Sequence, residues 1–193
     1  MTGVSSVGST SAPVQPQDWV WDSSALVHFA RADRCADLFD IVRAKGARHL
    51  VTPVVHDELT RHHLAETVLI AGWVLLEDPN SDVLDADEIL LELSAQLDVR
   101  GPHNLGEATV LAVAERWGAT AVVDDRDAYS IGRSRGARVV RTLRLVGEAV
   151  ETGLLTPHAA QSCITDVEHH GARLPDRVIA DFSGWWAEMR TRL

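Results

Sequence analysis

With 193 residues, 46% of them hydrophobic, the chain has room for one compact domain with an ordinary soluble composition. No apolar run is long enough to span a bilayer. The net charge of −10 argues against nucleic-acid binding, because phosphate repels acid, unless acids cluster to hold cations and bases cluster elsewhere. Of the 18 basic residues only Lys45 is lysine, and arginine suits bidentate phosphate contacts. Cys35 and Cys163 form no CxxC pair, which fits two core thiols in a reducing cytoplasm.

Residues 1–17, rich in Ser, Gly, Thr and Pro, lack the charged start and apolar core of a signal peptide and read as a disordered leader or as residues added for expression. Trp19-Val20-Trp21 reads as a short buried strand ending at Asp22, with Ser23 and Ser24 suited to cap a helix from about Ala25 to Lys45. His49 to Val51 is a second strand. Thr52-Pro53 then starts a helix that carries Glu58. A strand at Trp73 to Leu76 leads into an acidic connector, a helix near Ile89 to Leu97 and a break at Gly101-Pro102. Asn104 to Trp117 is an amphipathic helix, followed by strand Ala119 to Val123 and the sequence Asp124-Asp125-Arg126-Asp127. A helix near Ala128 to Arg135, a strand at Ala137 to Val140 and two or three closing helices complete the chain. Alternating strands and helices imply an α/β three-layer sandwich with a central parallel sheet.

In such a sheet, functional groups gather at the carboxyl ends of the strands. Two strands end in acid, at Asp22 and at Asp124-Asp125, where a buried carboxylate loses solvation and meets like charge. Two helices that start nearby carry Glu58 and Glu107. A cluster of this kind stays ionised only around a cation, and hard oxygen ligands suit Mg²⁺ or Mn²⁺. Such ions activate water and stabilise a phosphodiester under in-line attack. Each acid also has a structural explanation: Asp22 as a helix cap, Glu107 in a capping box with Asn104, Glu58 as a solvated helix residue, and one or two of the late aspartates as turn or capping groups.

The order and context of these motifs resemble the PIN-domain nucleases. WDSSAL resembles the family's opening strand with its aspartate, and TPVVHDEL the helix carrying a Glu. NLGEATVLAVAERWGATAVVDDRDA resembles the motifs in which an acid opens a helix and a strand then ends in Asp. The resemblance runs from Trp19 to Phe182 and falls nearest the branch with LGEAEA-type and DDR-type signatures, related to the VapC-like members. It implies Mg²⁺- or Mn²⁺-dependent hydrolysis of phosphodiester bonds, mostly in RNA, and in many relatives a toxin held inactive by a small antitoxin. It implies Asp22, Glu58, Glu107 and Asp125 as the catalytic set, with metal held by Asp22, Glu107 and Asp125 or Asp124. Val123 stands where many relatives carry a Thr or Ser that orients an acid. The expected organisation is a leader over 1–17, a nuclease domain over 18–155 and a helical extension over 156–193 packed on it.

Between Arg126 and Arg144 lie six arginines and one acid, a local reversal of the overall charge. Arg126, Arg133 and Arg135 are the candidates there for a phosphate backbone, against the alternative of a solvated face paired to other acids. Tyr129 reads as a core residue rather than a base-stacking one. Trp185-Trp186 read as packing or interface anchors that make a homodimer plausible. Asp78 to Asp82 begins like a calcium loop, but Val83 stands where Gly is needed. His62-His63 and His169-His170 lack zinc-site context, and His56 near Glu58 is not assigned a role. Two rival readings remain: a haloacid-dehalogenase-like phosphatase, which would want an acid where Ser24 stands, and a degenerate PIN scaffold acting through protein contacts.

Overall fold

A computed structural model describes residues 9–10, 14–15, 17–76, 88–101 and 104–192. The strands are β1 (Ser9–Thr10), β2 (Trp19–Trp21), β3 (His49–Val51), β4 (Val74–Leu76), β5 (Thr120–Val122) and β6 (Arg138–Val140). They form one sheet in the order β1-β4-β3-β2-β5-β6, with every neighbouring pair parallel. Helices α1 (Ser23–Arg31), α2 (Cys35–Arg43), α3 (Pro53–Arg61), α4 (Ala65–Ala71), α5 (Glu88–Gln96) and α6 (Leu105–Trp117) precede β5. Helices α7 (Arg126–Ser134), α8 (Thr142–Glu151), α9 (Pro157–His169), α10 (Asp176–Ala180) and α11 (Phe182–Met189) follow it. The architecture is an α/β sandwich with a parallel sheet at its centre. None of the described helices is long and apolar enough to cross a membrane.

The order places a topological switch beside β2. The chain moves outward from β2 through β3 to β4, then returns to lay β5 on the other flank of β2 and β6 beyond it. Connections therefore leave the carboxyl ends of β2 and β5 in opposite directions and open a crevice there, where ligands bind in sheets of this kind. The middle strands are buried apart from the half-buried Trp19, as WVW, HLV and TAV suggest. Helix α6 buries Ala108, Val110, Leu111, Ala112, Val113 and Ala114, so it is apolar on most sides and lies inside the molecule. Ile164, Val178, Phe182 and Trp186 from the last three helices join the same core.

Three local expectations change. The single helix from Ala25 to Lys45 is two helices, because Asp33 takes a left-handed φ of 56° and turns the chain. The helix from Pro53 likewise stops at Arg61, and His63 at φ 59° turns the chain into α4. The cap of α1 is Asp22 itself rather than Ser23 or Ser24. Ser9–Thr10, within the stretch read as a leader, pair with Leu75 and Leu76 of β4. The acidic connector and its calcium-like start, Asp78 to Asp82, lie outside the described residues.

Candidate active site

Asp22 follows the last residue of β2, and its N–H still donates to the Val122 carbonyl of β5 (3.0 Å). Its extended backbone ends the strand while Oδ2 accepts the Ser24 N–H (2.9 Å), which caps α1. The residue is wholly buried, and its other oxygen, Oδ1, has no hydrogen-bond partner. Burial, followed by the negative charge of Glu107, pushes the Asp22 carboxyl up to about 8. Capping thus accounts for one oxygen of Asp22 and leaves the other unexplained.

Glu58 and Glu107 are held by a threonine relay. Thr52 caps α3 by accepting the Val55 N–H (3.3 Å), and its hydroxyl meets that of Thr109 at 3.2 Å. The Thr109 hydroxyl donates to the Gly106 carbonyl (2.8 Å), so the start of α6 is tied to the start of α3. Glu58 Oε2 accepts the Ser23 hydroxyl (2.6 Å), and Arg61 stands 3.9 Å from Oε1. A Cβ at Gly106 would lie 2.8 Å from Glu58 Oε2 and 3.2 Å from Asp22 Oδ1. The two acids therefore face a common space over the first turn of α6, and only the bare glycine backbone leaves it open. Asn104 does not form the capping box read from sequence: it takes a left-handed φ of 59°, makes no side-chain cap bond, and its amide donates to the Leu97 carbonyl.

The late aspartates divide their work. Asp125 is exposed, and its Oδ1 accepts the N–H groups of Asp127 and Ala128, both at 2.9 Å, as the cap of α7. Asp124 Oδ1 accepts the Thr142 N–H (2.9 Å), and its Oδ2 accepts the Thr142 hydroxyl (2.5 Å). Burial raises the Asp124 carboxyl, opposed by the Thr142 bonds and by the nearby Arg141 and His28. The Asp124 N–H donates to Ser24 Oγ (3.4 Å), so Ser24 touches both Asp22 and Asp124. Val123 is buried, and the hydroxyl that the resemblance would place there is supplied to Asp124 by Thr142.

Glu107, Asp124 and Asp125 line one side of an open cleft of about 800 Å³. Arg126 also lines it, together with Arg141, Arg173, Arg177 and Trp185. Of the other sequence candidates, Arg133 is exposed in the last turn of α7. Arg135 is engaged by Glu115 (2.7 and 2.9 Å) and Glu92 (2.9 Å) beside Gly118 and Ala137, near the amino ends of β5 and β6 and away from the acids. His56 is half-buried beside Asp57 and does not line the cleft. Tyr129 is half-buried beneath the Arg141 guanidinium, 4.4 Å from the ring centre.

Sequence reasoning missed Ser23, Thr142 and the cleft arginines 141, 173 and 177. Gly106 did carry a signal, because a glycine inside a helix costs about 1 kcal/mol relative to alanine and asks for a packing reason. Among the described residues, no three His, Cys, Asp or Glu side chains stand close enough to hold an ion as they are placed. The acids instead face one another across a space, with a buried orphan oxygen and no compensating cation beside it. That donor set fits a hard divalent ion, which would supply the missing charge.

A family model described as DUF3368, a PIN domain, matches residues 18–186. No curated protein and no solved structure matches the chain.

Proposed function

This chain belongs to the PIN-domain family, and on that premise we propose that it is an Mg²⁺- or Mn²⁺-dependent endoribonuclease. PIN domains are generally nucleases, and the metal and the RNA substrate are the finer part of this reading. The observation that carries it is Asp22 Oδ1, buried and unpartnered between Glu58 and Glu107 at the switch point of the sheet. A stability role gives no reason to bury a carboxylate oxygen without a partner.

Asp22, Glu107 and Asp124 would hold the ion, with Glu58 completing the shell. Asp124 is favoured over Asp125 because its N–H meets Ser24, which also bonds Asp22, whereas Asp125 is exposed and caps α7. Bringing the acids onto one point requires rotation about the Glu58 and Glu107 side chains, each one χ angle longer than Asp22. A bound ion would supply Lewis-acid polarisation of the phosphodiester and acidify water.

The chain's own groups do the positioning. Ser23 donates to Glu58 Oε2 and so keeps that carboxylate beside the start of α1, where Oε1 would orient the attacking water. Thr142 holds both oxygens of Asp124 so that the carboxylate cannot swing away. Ser24 locks the ends of β2 and β5 in register. The water then bonds to phosphorus and releases a proton to solvent as the opposite ester bond breaks, and the leaving oxygen takes a proton from solvent.

The test is cleavage of single-stranded RNA by the purified chain with Mn²⁺ or Mg²⁺. Asp22→Asn should abolish it, and EDTA should stop the wild type. Cleavage that survives either change sinks the reading. A toxin role adds that expression of the wild type, and not of Asp22→Asn, arrests growth, and that a small partner protein relieves the arrest.

The second reading, a PIN scaffold without catalysis, is favoured by the separation of the acids as placed. It predicts no cleavage under any metal and no change in stability when Mn²⁺ is added. A haloacid-dehalogenase-like reaction is disfavoured because Ser24, in the place of the second acid, is occupied with Asp22 and Asp124.

A further inference from the structure

Arg126, Arg141, Arg173 and Arg177 line the same cleft as Glu107, Asp124 and Asp125. Arg126 and Arg141 stand beside the aspartates, and among the described residues none of the four makes an ion pair within 4.0 Å of a carboxylate. Most of the ion-paired arginines lie elsewhere: Arg34 is paired with Asp166 and Asp37, Arg48 with Asp18, Arg135 with Glu92 and Glu115, and Arg144 with Glu148. Arg126, Arg173 and Arg177 are exposed, so their charge faces the cleft in a chain whose net charge is −10. The Arg141 Nε is, in addition, buried without a partner.

We infer that these arginines form a wall that is the binding track for a single-stranded polynucleotide. Arg126, Arg141, Arg173 and Arg177 hold the phosphates that flank the scissile one, and Trp185 offers a ring to a base. The inference rests on the nuclease reading for the position of the scissile phosphate, but the wall's binding of the strand does not require cleavage.

Three observations support a strand rather than a small anion. The cleft is open and about 800 Å³ in volume, which suits several nucleotides in line and is too confined for a duplex. Its cations come from three segments, at the start of α7, the start of α8 and the stretch from Arg173 to Arg177, so they number more than a single small anion needs. Trp185 is half-buried and set against Phe182, with ring centres 5.6 Å apart, so its indole is held at the cleft and loses little freedom on stacking. Arg173, Arg177 and Trp185 belong to the last quarter of the chain. That quarter thus contributes to substrate binding as well as to packing.

The test is fluorescence anisotropy of a labelled mixed-sequence single-stranded RNA 12-mer, in EDTA so that nothing is cut. Arg173→Ala/Arg177→Ala should weaken binding roughly tenfold, and the slope of log affinity against log salt should fall by about two. The charge-matched control Arg43→Ala/Arg100→Ala, at exposed positions outside the cleft, should bind as wild type does. Trp185→Leu should weaken binding with the salt slope unchanged. Circular dichroism on each variant separates a lost contact from a lost fold, and Arg173→Lys/Arg177→Lys, which keeps the charge, should retain most of the salt slope.

Equal binding by the double alanine variant and the wild type would overturn the inference. So would an equal loss in the control pair, or full competition by inorganic phosphate at equal charge concentration. Binding of a poly-glutamate peptide in place of the RNA would overturn it in favour of an acidic protein partner. If the wild type binds RNA through this wall yet never cleaves it, the inference stands and the nuclease reading fails. If the wild type cleaves RNA and the double alanine variant cleaves it with an unchanged KM, the reverse holds.

Discussion

Asp18 and Asp22 bracket the same three-residue strand, and both are buried, yet they are treated in opposite ways. At the amino end, Asp18 is met by the fork of Arg48, with Nε on Oδ1 at 3.0 Å and Nη2 on Oδ2 at 2.5 Å. The Gln15 N–H adds a third bond at 2.7 Å. At the carboxyl end, Asp22 receives one N–H on Oδ2 and nothing on Oδ1, and its closest charged company is more acid. The first arrangement fastens the loop before β2 to the loop before β3. The second leaves a buried carboxyl that the fold keeps protonated up to about pH 8 unless a cation takes the proton's place. The comparison teaches that burial of an acid does not by itself mark function. What matters is whether the fold supplies its partner.

The largest way to sharpen this contrast is Asp22→Asn. It should lower metal-dependent cleavage about a thousandfold, the scale of losing a group that stabilises transition-state charge. The same change should stabilise the metal-free protein by about 2 kcal/mol at neutral pH, because the amide is neutral without the proton that the Asp22 carboxyl must take up on folding. A variant inactive and also less stable in EDTA would break the comparison. Asp18→Ala should do the opposite. It should cost about 2 kcal/mol in chemical denaturation by removing the buried acceptor of the Arg48 and Gln15 bonds, while the folded fraction keeps its activity.

The contrast also appears in pH. The folded Asp22 carboxyl sits at about 8 against an ordinary 3.8. The folded state therefore keeps a proton that the unfolded chain has lost, and this contribution, complete below the ordinary value, is lost as pH rises towards 8. His49, packed by Trp21, Phe39 and Trp73 and pushed down to about 4, acts in the other direction. Its contribution is complete above 6.5 and is lost as pH falls from there towards 4. In EDTA, the denaturant midpoint should thus decline between about pH 6.5 and 8. Mn²⁺ or Asp22→Asn should flatten the decline, and a midpoint level in EDTA over that range would refute the assignment.

Smaller effects test the supports. Gly106→Ala should reduce cleavage about tenfold by pushing Glu58 off its position, with little loss of stability because alanine favours the helix by about 1 kcal/mol. Thr142→Val should cost about 1 kcal/mol and lower affinity for the metal rather than the unfolding cooperativity, read by calorimetry with Mn²⁺. An unchanged Mn²⁺ isotherm would remove Thr142 from the site.

Much of the fold was legible because strand ends and helix starts leave local marks. Apolar runs of strand length, Thr-Pro at a helix start and Gly118 after α6 are all readable along the chain. The two helix breaks were not, because Asp33 and His63 adopt left-handed φ without the glycine that usually announces it. Asp22, Glu58 and Glu107 could be picked out because acid after an apolar strand or in an early helical turn is locally odd. Arg135 was credited to the phosphate track because charge was counted along the sequence, whereas its actual neighbours are Glu92 and Glu115. Arg173 and Arg177 lie in an unremarkable stretch, and only packing of α9 against α1 and α8 brings them to the cleft that Glu107, Asp124 and Asp125 line.

Gly147 gives that last fold a particular dependence. Any Cβ on this residue of α8 would overlap the Trp186 ring, so the indole occupies the space a side chain would take. The terminal helices are thus keyed into the domain by one ring in one gap. Arg173, Arg177 and Trp185 therefore have a mounting separate from that of the site's carboxylates, and altering the keyed piece would change their placement while leaving the acids untouched. Conversely, a single methyl at position 147 would act as a wedge under these three residues, in a helix that carries none of the site's acids.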